Sequence, residues 1–377
     1  MEKAAGFLSS LLGGGEEVPP EPAATVRSIL IYPIKSCRGI SVPQAPITST
    51  GFRWDRQWVV VNSKGRAYTQ RVGGFLGGGA PPRRFLLGTP GMDPLKIPLS
   101  AEQAIINDVS VWEWSGSAYD EGAEAAEWFS SYFGNPSRLV RFKEGSEIRP
   151  TNPDYAQGYK IMFTDCFPFL MASQGSLDAL NEVLKEPVPM NRFRPNILVD
   201  GCHPYSEDLW KTIKINKLTF QGVKLCNRCK VPTINQENGI LGTEPTETLL
   251  TFRSDEVLRP SHKNKRQVYF GQNLVCKESL SAKDEGRIIK VGDPVYMKFQ
   301  HEQGGHSGNC SEKKKKKKLT WILGDEHGGA AKVAGGAVGL GALPVAVEGE
   351  AWAIMVSGRK HGPDGWMESQ SAPEPHA

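Results

Sequence analysis

The sequence has no apolar run of about 18 residues, the length that a helix needs to cross the hydrocarbon core of a membrane. It therefore predicts no transmembrane anchor. The start of the chain also lacks the long apolar region of a secretory signal and the arginines of a transit peptide. We expect residues 1–24 to form a disordered leader, with a weak amphipathic membrane contact at 7–12 as the alternative.

Cysteine is scarce as well. The chain has seven cysteines, an odd number without the regular spacing of a disulfide framework. Such usage is typical of a reducing compartment, so we expect nearly all of them to be free thiols. No Gly-x-Gly-x-x-Gly follows a predicted strand and no Cys-x-x-Cys-His occurs, so the sequence shows neither a flavin motif nor a haem attachment site.

The charge balance is close to neutral. A formal net charge of +4 gives no case for nucleic-acid binding, and 39% hydrophobic with 23% charged residues is the composition of a globular protein. The strongest charge run is six lysines at 313–318. This run lies in segment 300–377, which we expect to be a low-complexity, disordered tail. A nuclear-localisation or nucleic-acid patch is the alternative.

Short β-branched runs dominate the rest of the chain and predict strands at 25–36, 58–62, 109–114, 138–142, 196–200, 214–226 and 287–299. Two helices are predicted, at 117–134 and 173–187, because apolar residues recur there every three or four positions. Gly134 stands where a helix ends. This pattern favours a β-barrel architecture with few helices packed outside it.

Segment 72–90 does not fit this pattern, since five of its first eight residues are glycine. The glycines predict a long loop in a region otherwise dense in strands. A compact domain seldom contains such a loop.

Residues 225–233, LCNRCKVPT, hold a Cys-x-x-Cys pair. A structural zinc site needs four ligands, and neither a second such pair nor a His pair lies at suitable spacing from Cys226 and Cys229. A thioredoxin-like pair would open a helix, whereas this one ends a predicted strand and runs into Val-Pro-Thr, which is not expected to start a helix. The favoured interpretation is a single thiolate for a soft or high-valent metal, with Arg228 favouring the thiolate and able to bind phosphate.

Six motifs occur in an order that resembles the amidoxime-reducing component family: YPIKSCRG, GFRWDRQWVVVN, NRFRPNILVDG, CNRCKVPTINQENG, FGQN and KVGDPVY. The resemblance is to plant-like members without a membrane anchor. It implies an α+β, mostly β fold, with a MOSC β-barrel and an N-terminal β-barrel-like region with packed helices. The implied domains are a MOSC N-terminal domain at 25–145, with 72–90 atypical, and a MOSC domain at 146–299.

The resemblance implies a site for a molybdenum–molybdopterin cofactor (Moco). Cys229 would be the protein ligand to molybdenum and thereby the catalytic residue. The residues that would bind the cofactor are Lys35, Ser36, Arg71, Asp165, Arg194, Asn196, Asn227 and Arg228. Cys226 is interpreted as a small buried hydrophobe near the metal, and Cys37 and Cys166 as packing residues.

The resemblance further implies reduction of small N-hydroxylated compounds, such as amidoximes and hydroxylamines. The electrons would come from cytochrome b5 and NADH-cytochrome b5 reductase. The location would be the mitochondrial outer membrane or the cytoplasm.

Two alternatives to this function stay open. The first is a Moco carrier or a sulfurase-type maturation protein. A sulfurase should carry a pyridoxal-phosphate domain upstream, and only 24 residues precede the first predicted strand, so we expect the reductase. The second is a non-catalytic binding protein, inactivated by the change at 72–90.

Overall fold

The computed structural model describes residues 21–69, 77–79, 84–89, 92–98, 103–261, 266–281 and 286–298. Residues 1–20 of the expected leader, Arg71 and the expected tail at 300–377 lie outside the described residues. The architecture is mostly β, with 41% strand and 19% helix, as the sequence predicts. Within the described ranges no helix is both long and apolar enough to cross a bilayer.

Eighteen strands and four α-helices make up the described part of the chain. The strands are β1 Ala24–Ile31, β2 Ile40–Val42, β3 Gln44–Thr48, β4 Gly51–Phe52, β5 Trp58–Asn62, β6 Gly77–Gly79, β7 Arg84–Thr89, β8 Met92–Pro98, β9 Ile105–Val111, β10 Trp114–Asp120, β11 Ser137–Phe142, β12 Phe169–Ser173, β13 Ile197–Asp200, β14 Thr212–Ile215, β15 Leu218–Arg228, β16 Val268–Cys276, β17 Ile288–Lys290 and β18 Pro294–Lys298. The helices are α1 Ala123–Phe133, α2 Gln174–Val183, α3 Thr246–Phe252 and α4 Asp255–Leu258.

Seven strands close into a barrel in the order β13, β12, β16, β15, β14, β18 and β1, with β1 pairing again with β13. Neighbouring strands are antiparallel except β12 and β13. Apolar side chains that alternate along the strands fill the interior, among them Val26, Phe169, Ile213, Phe220 and Leu274. The first described strand thus completes a barrel whose other six strands lie between Phe169 and Lys298.

A second sheet, in the order β5, β11, β10 and β9, carries helix α1 on one face. Side chains of β5 point alternately to the two faces of the sheet, and both faces are buried. Trp58 and Val60 pack with Phe129 of α1, whereas Val59 and Val61 pack in a separate apolar cluster on the opposite side. Gly134 ends α1 in the left-handed conformation, with φ of 69°, as the sequence predicts.

Three predictions of secondary structure from local sequence are wrong. The helix predicted at 117–134 begins only at Ala123, because residues 117–120 belong to β10. Strands β6 and β7 lie inside 72–90, where the glycines predict a loop, and they pair with each other and with β8. Leu87 of β7 is buried in the apolar cluster under α1. The apolar residues that follow the glycines therefore give this small sheet an apolar face that packs against the protein. The strand predicted at 109–114 is instead a hairpin, in which β9 and β10 are joined by the two-residue turn Trp112–Glu113.

Two smaller sheets complete the architecture. Strands β17, β3 and β4 form one of them, and β6, β7 and β8 form the other. Strand β17 comes from the C-terminal end of the described chain, so this sheet also joins distant parts of the sequence.

The barrel tolerates no side chain at Gly222 in β15. A Cβ there would lie 2.2 Å from the Trp210 carbonyl oxygen and 2.5 Å from Gln272 Nε2. We expect Gly222→Ala to destabilise the protein by about 1–3 kcal/mol, since backbone and side chain would both have to move. A shift of the urea unfolding midpoint to lower concentration measures this effect.

Gly242→Ala is the matched control, because its Cβ would meet nothing nearer than the Thr233 carbonyl oxygen at 3.5 Å. We expect its midpoint to stay at the wild-type value. Equal midpoints for the two variants would contradict the proposed close approach at Gly222.

Candidate functional site

A cleft with a volume of about 200 Å3, partly open to solvent, is lined by residues from the barrel and from the N-terminal segments. It brings together eight of the nine residues that the resemblance implies. These are Lys35, Ser36, Asp165, Arg194, Asn196, Asn227, Arg228 and Cys229. The ninth, Arg71, lies outside the described residues, although Thr69 also lines the cleft.

The cysteine motif enters the cleft from the end of β15. The pairing of β15 with β16 shifts register between Gly222 and Lys224 and again between Leu225 and Asn227. Such bulges bend a strand and redirect its side chains, often beside functional sites. They leave Asn227 and Cys229 exposed and Cys226 partly exposed.

The motif then continues into one 3₁₀ turn, Val231–Thr233, with proline in its first turn. The expectation that Val-Pro-Thr starts no helix is therefore wrong, because these three residues form a 3₁₀ turn. The turn is three residues long, too short to be the helix that a thioredoxin-like pair opens.

The guanidinium of Arg228 is directed at Cys226. Its Nη1 lies 3.0 Å from Cys226 Sγ, and its Nη2 donates to the Phe193 carbonyl oxygen at 2.8 Å. The third nitrogen, Nε, is buried and has no hydrogen-bond partner among the described residues. A buried donor without an acceptor is costly, so the position of Arg228 fits a site completed by a bound acceptor.

The cysteines differ from expectation in two cases. Cys226 and Cys166 were interpreted as buried residues, but both line the cleft, where Cys226 is partly exposed and Cys166 exposed. Cys37 is buried in the cluster under α1, as predicted. All six cysteines of the described ranges are free thiols.

Two arginines contact the ring of one buried tyrosine. The guanidinium carbons of Arg56 and Arg194 lie 4.1 and 4.3 Å from the ring centroid of Tyr32. Burial raises the pKa of Tyr32 to about 12, although both arginines act to lower it. Burial lowers the pKa of Arg194 to about 10, so its guanidinium keeps its charge at neutral pH.

The side chain of Arg194 is only 8% exposed and lines the cleft. Within the described residues its guanidinium makes no ion pair or hydrogen bond, and its partner is the Tyr32 ring. A buried cation in this position is available to an anionic ligand such as a phosphate, which arginine binds in bidentate fashion.

The carboxylate of Asp55 holds this arrangement together. Asp55 is 2% exposed and accepts hydrogen bonds from Arg56 Nη1 at 2.7–2.8 Å, from the Tyr32 backbone N–H at 2.8 Å and from Asn196 Nδ2 at 3.1 Å. Burial raises the pKa of Asp55, and Arg56 and these hydrogen bonds act to lower it. The residue thereby ties the end of β1 to the loop before β13.

Asn196 is placed differently from an ordinary ligand-binding amide. Its Nδ2 donates to the Leu30 carbonyl oxygen at 3.2 Å as well as to Asp55, and its Oδ1 accepts from the Leu170 N–H at 3.3 Å. Both ends of the amide are therefore engaged by the protein. This geometry supports a framework role for Asn196.

Lys35 and Asp165 form an ion pair at the wall of the cleft. Desolvation acts to raise the pKa of Asp165, but the Lys35 ammonium and the Trp112 Nε1–H outweigh it and hold that pKa well below its ordinary value. Desolvation lowers the pKa of Lys35, and Asp165 opposes the shift. The Asp165 side chain is 66% exposed, so solvent screens the pair.

The loop that carries Asp165 is supported by the buried Arg149. Its Nη1 donates to the carbonyl oxygens of Met162 (2.9 Å) and Thr164, and its Nη2 donates to the Asp165 carbonyl oxygen at 3.2 Å. Arg149 thus fixes the backbone on which the carboxylate stands.

Backbone strain is concentrated around the cleft. Four non-glycine residues that line it have positive φ: Ser36 at 68°, Arg56 at 49°, Trp112 at 56° and Arg194 at 55°. Residues held in this region cost conformational energy and are enriched at functional sites.

The charges of the cleft favour an anionic ligand. Five cationic side chains line it, namely Lys35, Arg56, Arg194, Lys224 and Arg228, against the single carboxylate of Asp165. No group of three or more His, Cys, Asp or Glu side chains converges anywhere in the described ranges to hold a metal ion. A metal at Cys229 would thus take its other ligands from the bound group, which fits a phosphate-bearing metal cofactor.

Five residues of this arrangement received no role from sequence reasoning: Tyr32, Asp55, Arg56, Trp112 and Arg149. Three of them stand inside the motifs YPIKSCRG and GFRWDRQWVVVN, where an Asp-Arg pair between aromatic residues was the available signal. Trp112 and Arg149 lie outside the motifs, so no sequence signal pointed to them.

The chain matches known domain families and proteins over most of the described residues. Residues 23–136 match the MOSC N-terminal beta barrel domain and residues 158–296 match the MOSC domain. Mitochondrial amidoxime reducing component 2 of Bos taurus is 33% identical, over 74% of this chain and 85% of that protein. Mitochondrial amidoxime-reducing component 1 of Homo sapiens is 32% identical, over 74% and 84%. Molybdenum cofactor sulfurase of Oryza sativa subsp. japonica is 30% identical, over 72% of this chain but 35% of that protein.

The buried pair of Asp55 and Arg56 generates a prediction. In Asp55→Asn the guanidinium of Arg56, whose side chain is 13% exposed, would keep its charge without its counter-charge, which costs about 3 kcal/mol where the pair is buried. We expect the urea unfolding midpoint to fall accordingly.

Asp200→Asn is the matched control. Its partner Arg27 lies 2.5 Å away, but the two side chains are about half exposed, and such pairs contribute about 0–1 kcal/mol. If both variants shifted the midpoint equally, the structural role of Asp55 would be refuted.

Proposed function

The chain belongs to the amidoxime-reducing component family of MOSC domain proteins, and from this premise we propose that it is a Moco-dependent oxidoreductase that reduces N-hydroxylated compounds such as amidoximes and hydroxylamines. One observation carries the proposal. The exposed thiol of Cys229, one residue beyond the end of β15, lies in the same cleft as five cationic side chains. A soft metal ligand beside an anion-binding wall suits a metal held by an organic phosphate.

In the proposed site, Cys229 provides the thiolate ligand to molybdenum. When bound, Moco supplies the two-electron reduction that converts the N–OH group, with two protons, to N–H and water. The thiolate stands at the end of β15, which is bent by two register shifts and anchored by its pairing with β16. The protein thereby fixes the metal ligand on a rigid element.

The cationic residues hold the cofactor. Arg194 and Arg228 supply guanidinium groups to its phosphate and pterin, and Lys35 adds charge from the opposite loop. Ser36 and Asn227 contribute polar contacts at the wall of the cleft. Asp165 orients Lys35 through the ion pair described above. We assign Asn196 to positioning, because its amide is engaged by Leu30, Asp55 and Leu170.

Arg71 stays a prediction from the resemblance alone. Thr69, two residues before it, lines the cleft.

The electrons are proposed to come from cytochrome b5 and NADH-cytochrome b5 reductase, because the sequence carries no flavin or haem motif. We propose a mitochondrial, outer membrane-associated location or a cytoplasmic one. The names of the Bos taurus and Homo sapiens relatives support the first.

A Moco carrier or maturation protein is the second candidate. It is favoured by the match to the rice molybdenum cofactor sulfurase, which extends over 72% of this chain. Such a protein would bind the same cofactor through the same thiolate. It would not turn over a substrate.

The experiment that separates these functions measures metal, pterin and turnover in one preparation of the full chain. We expect molybdenum and pterin in equal amounts, and benzamidoxime reduction with cytochrome b5, its reductase and NADH. Bound cofactor without turnover would identify a carrier. Absence of molybdenum and pterin from protein made in cells that synthesise Moco would reject the proposal.

The two cysteines of the motif give a matched pair of variants. We expect Cys229→Ala to lose turnover by at least about a hundredfold and to lose most of its molybdenum, because the metal loses its protein ligand. Cys226→Ala removes a thiol three residues away in the same cleft. It should keep the metal and most of the activity, since Arg228 retains its bond to the Phe193 carbonyl.

Full turnover by Cys229→Ala, or equal loss in the two variants, would contradict the role given to Cys229. In the cofactor-free proteins, circular dichroism and the urea midpoint should be unchanged in both variants, because neither thiol is buried in a core cluster.

A further inference from the structure

Trp112 occupies a backbone position that disfavours large side chains. It is the first residue of the two-residue turn between β9 and β10, which Val111 and Trp114 close. Its φ is 56°, and Glu113 beside it does not share a positive φ. In two-residue hairpin turns of this kind the first position is dominated by glycine, and a bulky residue there is an outlier.

Burial does not explain why a tryptophan stands in this turn. The residue is 50% exposed, unlike the core tryptophan Trp58, which is 1% exposed. A half-exposed indole therefore obtains only part of the stabilisation that a buried ring gains. The strained turn also offers no local reason for an aromatic side chain.

The contacts of Trp112 explain where its ring is held. Its Nε1–H donates to Asp165 Oδ1 at 2.9 Å, and Lys35 Nζ lies 5.8 Å from the ring centroid. Lys35 follows β1 and Asp165 precedes β12, so two loops from distant parts of the chain fix the indole against the cleft. Trp112 lines the same cleft as Cys229.

The hydrogen bond alone does not require an indole. A smaller donor such as asparagine tolerates positive φ better than tryptophan does. What tryptophan adds is a large planar apolar face, and such faces prefer to stack on other flat rings.

We propose that the indole of Trp112 is a specificity-determining wall of the cleft, which stacks on the ring of planar, aromatic N-hydroxylated substrates. This inference rests on the function proposed above and names a substrate class for the same site. Substrates that carry the same N-hydroxylated group on a small aliphatic chain lack a ring and gain nothing from this wall.

The test compares benzamidoxime with acetamidoxime in the Moco-loaded full chain. In Trp112→Gly we expect KM for benzamidoxime to rise about three- to tenfold, the range that loss of a ring contact gives, with KM for acetamidoxime unchanged. The value of kcat should change little, because the ring is bound equally before and during the reaction. Glycine suits the turn, so we expect the variant to fold.

Two further variants control the test. Trp112→Phe keeps a ring but loses the Nε1–H, so it should retain most of the preference for benzamidoxime. Asn216→Gly changes the first residue of the turn between β14 and β15, where φ is 53°, away from the cleft residues. It should leave both KM values unchanged.

Binding of the two reduction products gives a readout that is independent of turnover. Calorimetry should show benzamidine bound more tightly than acetamidine by the wild type, with the difference reduced about three- to tenfold in Trp112→Gly. An unchanged difference would overturn the proposal. So would a Trp112→Phe variant that behaves like Trp112→Gly, because the hydrogen bond rather than the ring would then be responsible.

The same measurement separates this inference from the proposed function. If the wild type reduces neither substrate, the proposed function fails. The wall is then judged by the binding of the two amidines alone: a ring preference that Trp112→Gly loses supports it, and no preference in the wild type rejects it.

Discussion

The cleft depends on one buried charge, the carboxylate of Asp55. Taking a carboxylate out of water is unfavourable unless hydrogen bonds and a counter-charge replace the lost hydration. Asp55 obtains both from three separate segments: Arg56 beside it, the backbone of Tyr32 after β1, and Asn196 before β13. Because these partners lie at or beside the cleft, the hydrogen bonds of one carboxylate hold the Tyr32 ring where two guanidinium groups contact it.

The arginine pair on Tyr32 has a consequence for ligand binding. Two like charges beside one ring repel each other, and burial adds to the cost of Arg194. The carboxylate of Asp55 compensates Arg56, whereas Arg194 meets only the ring. Arg194 is thus the member of the pair whose charge is left for a ligand, and a bound phosphate would lower the energy of the whole cluster. The folded chain is in this sense prepared for an anion.

The sequence predicted the elements whose signal is local. The period of α1, the glycine that ends it and the β-branched run of β5 all depend on neighbouring residues, and each was predicted correctly. The loop predicted at 72–90 failed because burial under α1 overrides the preference of its glycines, and that burial is a tertiary effect. Barrel closure by β1 also required a partner about 170 residues away, which no local pattern reveals.

The candidate site shows the same division. Motif resemblance selected residues that converge on one cleft, since eight of nine line it, but it did not assign their contacts. Asn196 proves to be bound within the framework, and Arg228 reaches Cys226 instead of standing free beside Cys229. These relations arise from the bulges of β15 and from the positive φ of Arg194, which are visible only in three dimensions.

The bulges also explain why the two cysteines of the motif have different surroundings. In a regular strand, residues three apart point to opposite faces. Here the register shift beside Cys226 and the end of β15 at Arg228 interrupt that alternation, so both thiols line the cleft. Cys226 nevertheless lies against a guanidinium, whereas Cys229, one residue beyond the strand, is exposed. A metal ligand needs an accessible thiolate. The Cys-x-x-Cys spacing, which is typical of paired metal ligands, therefore provides one ligand here, Cys229.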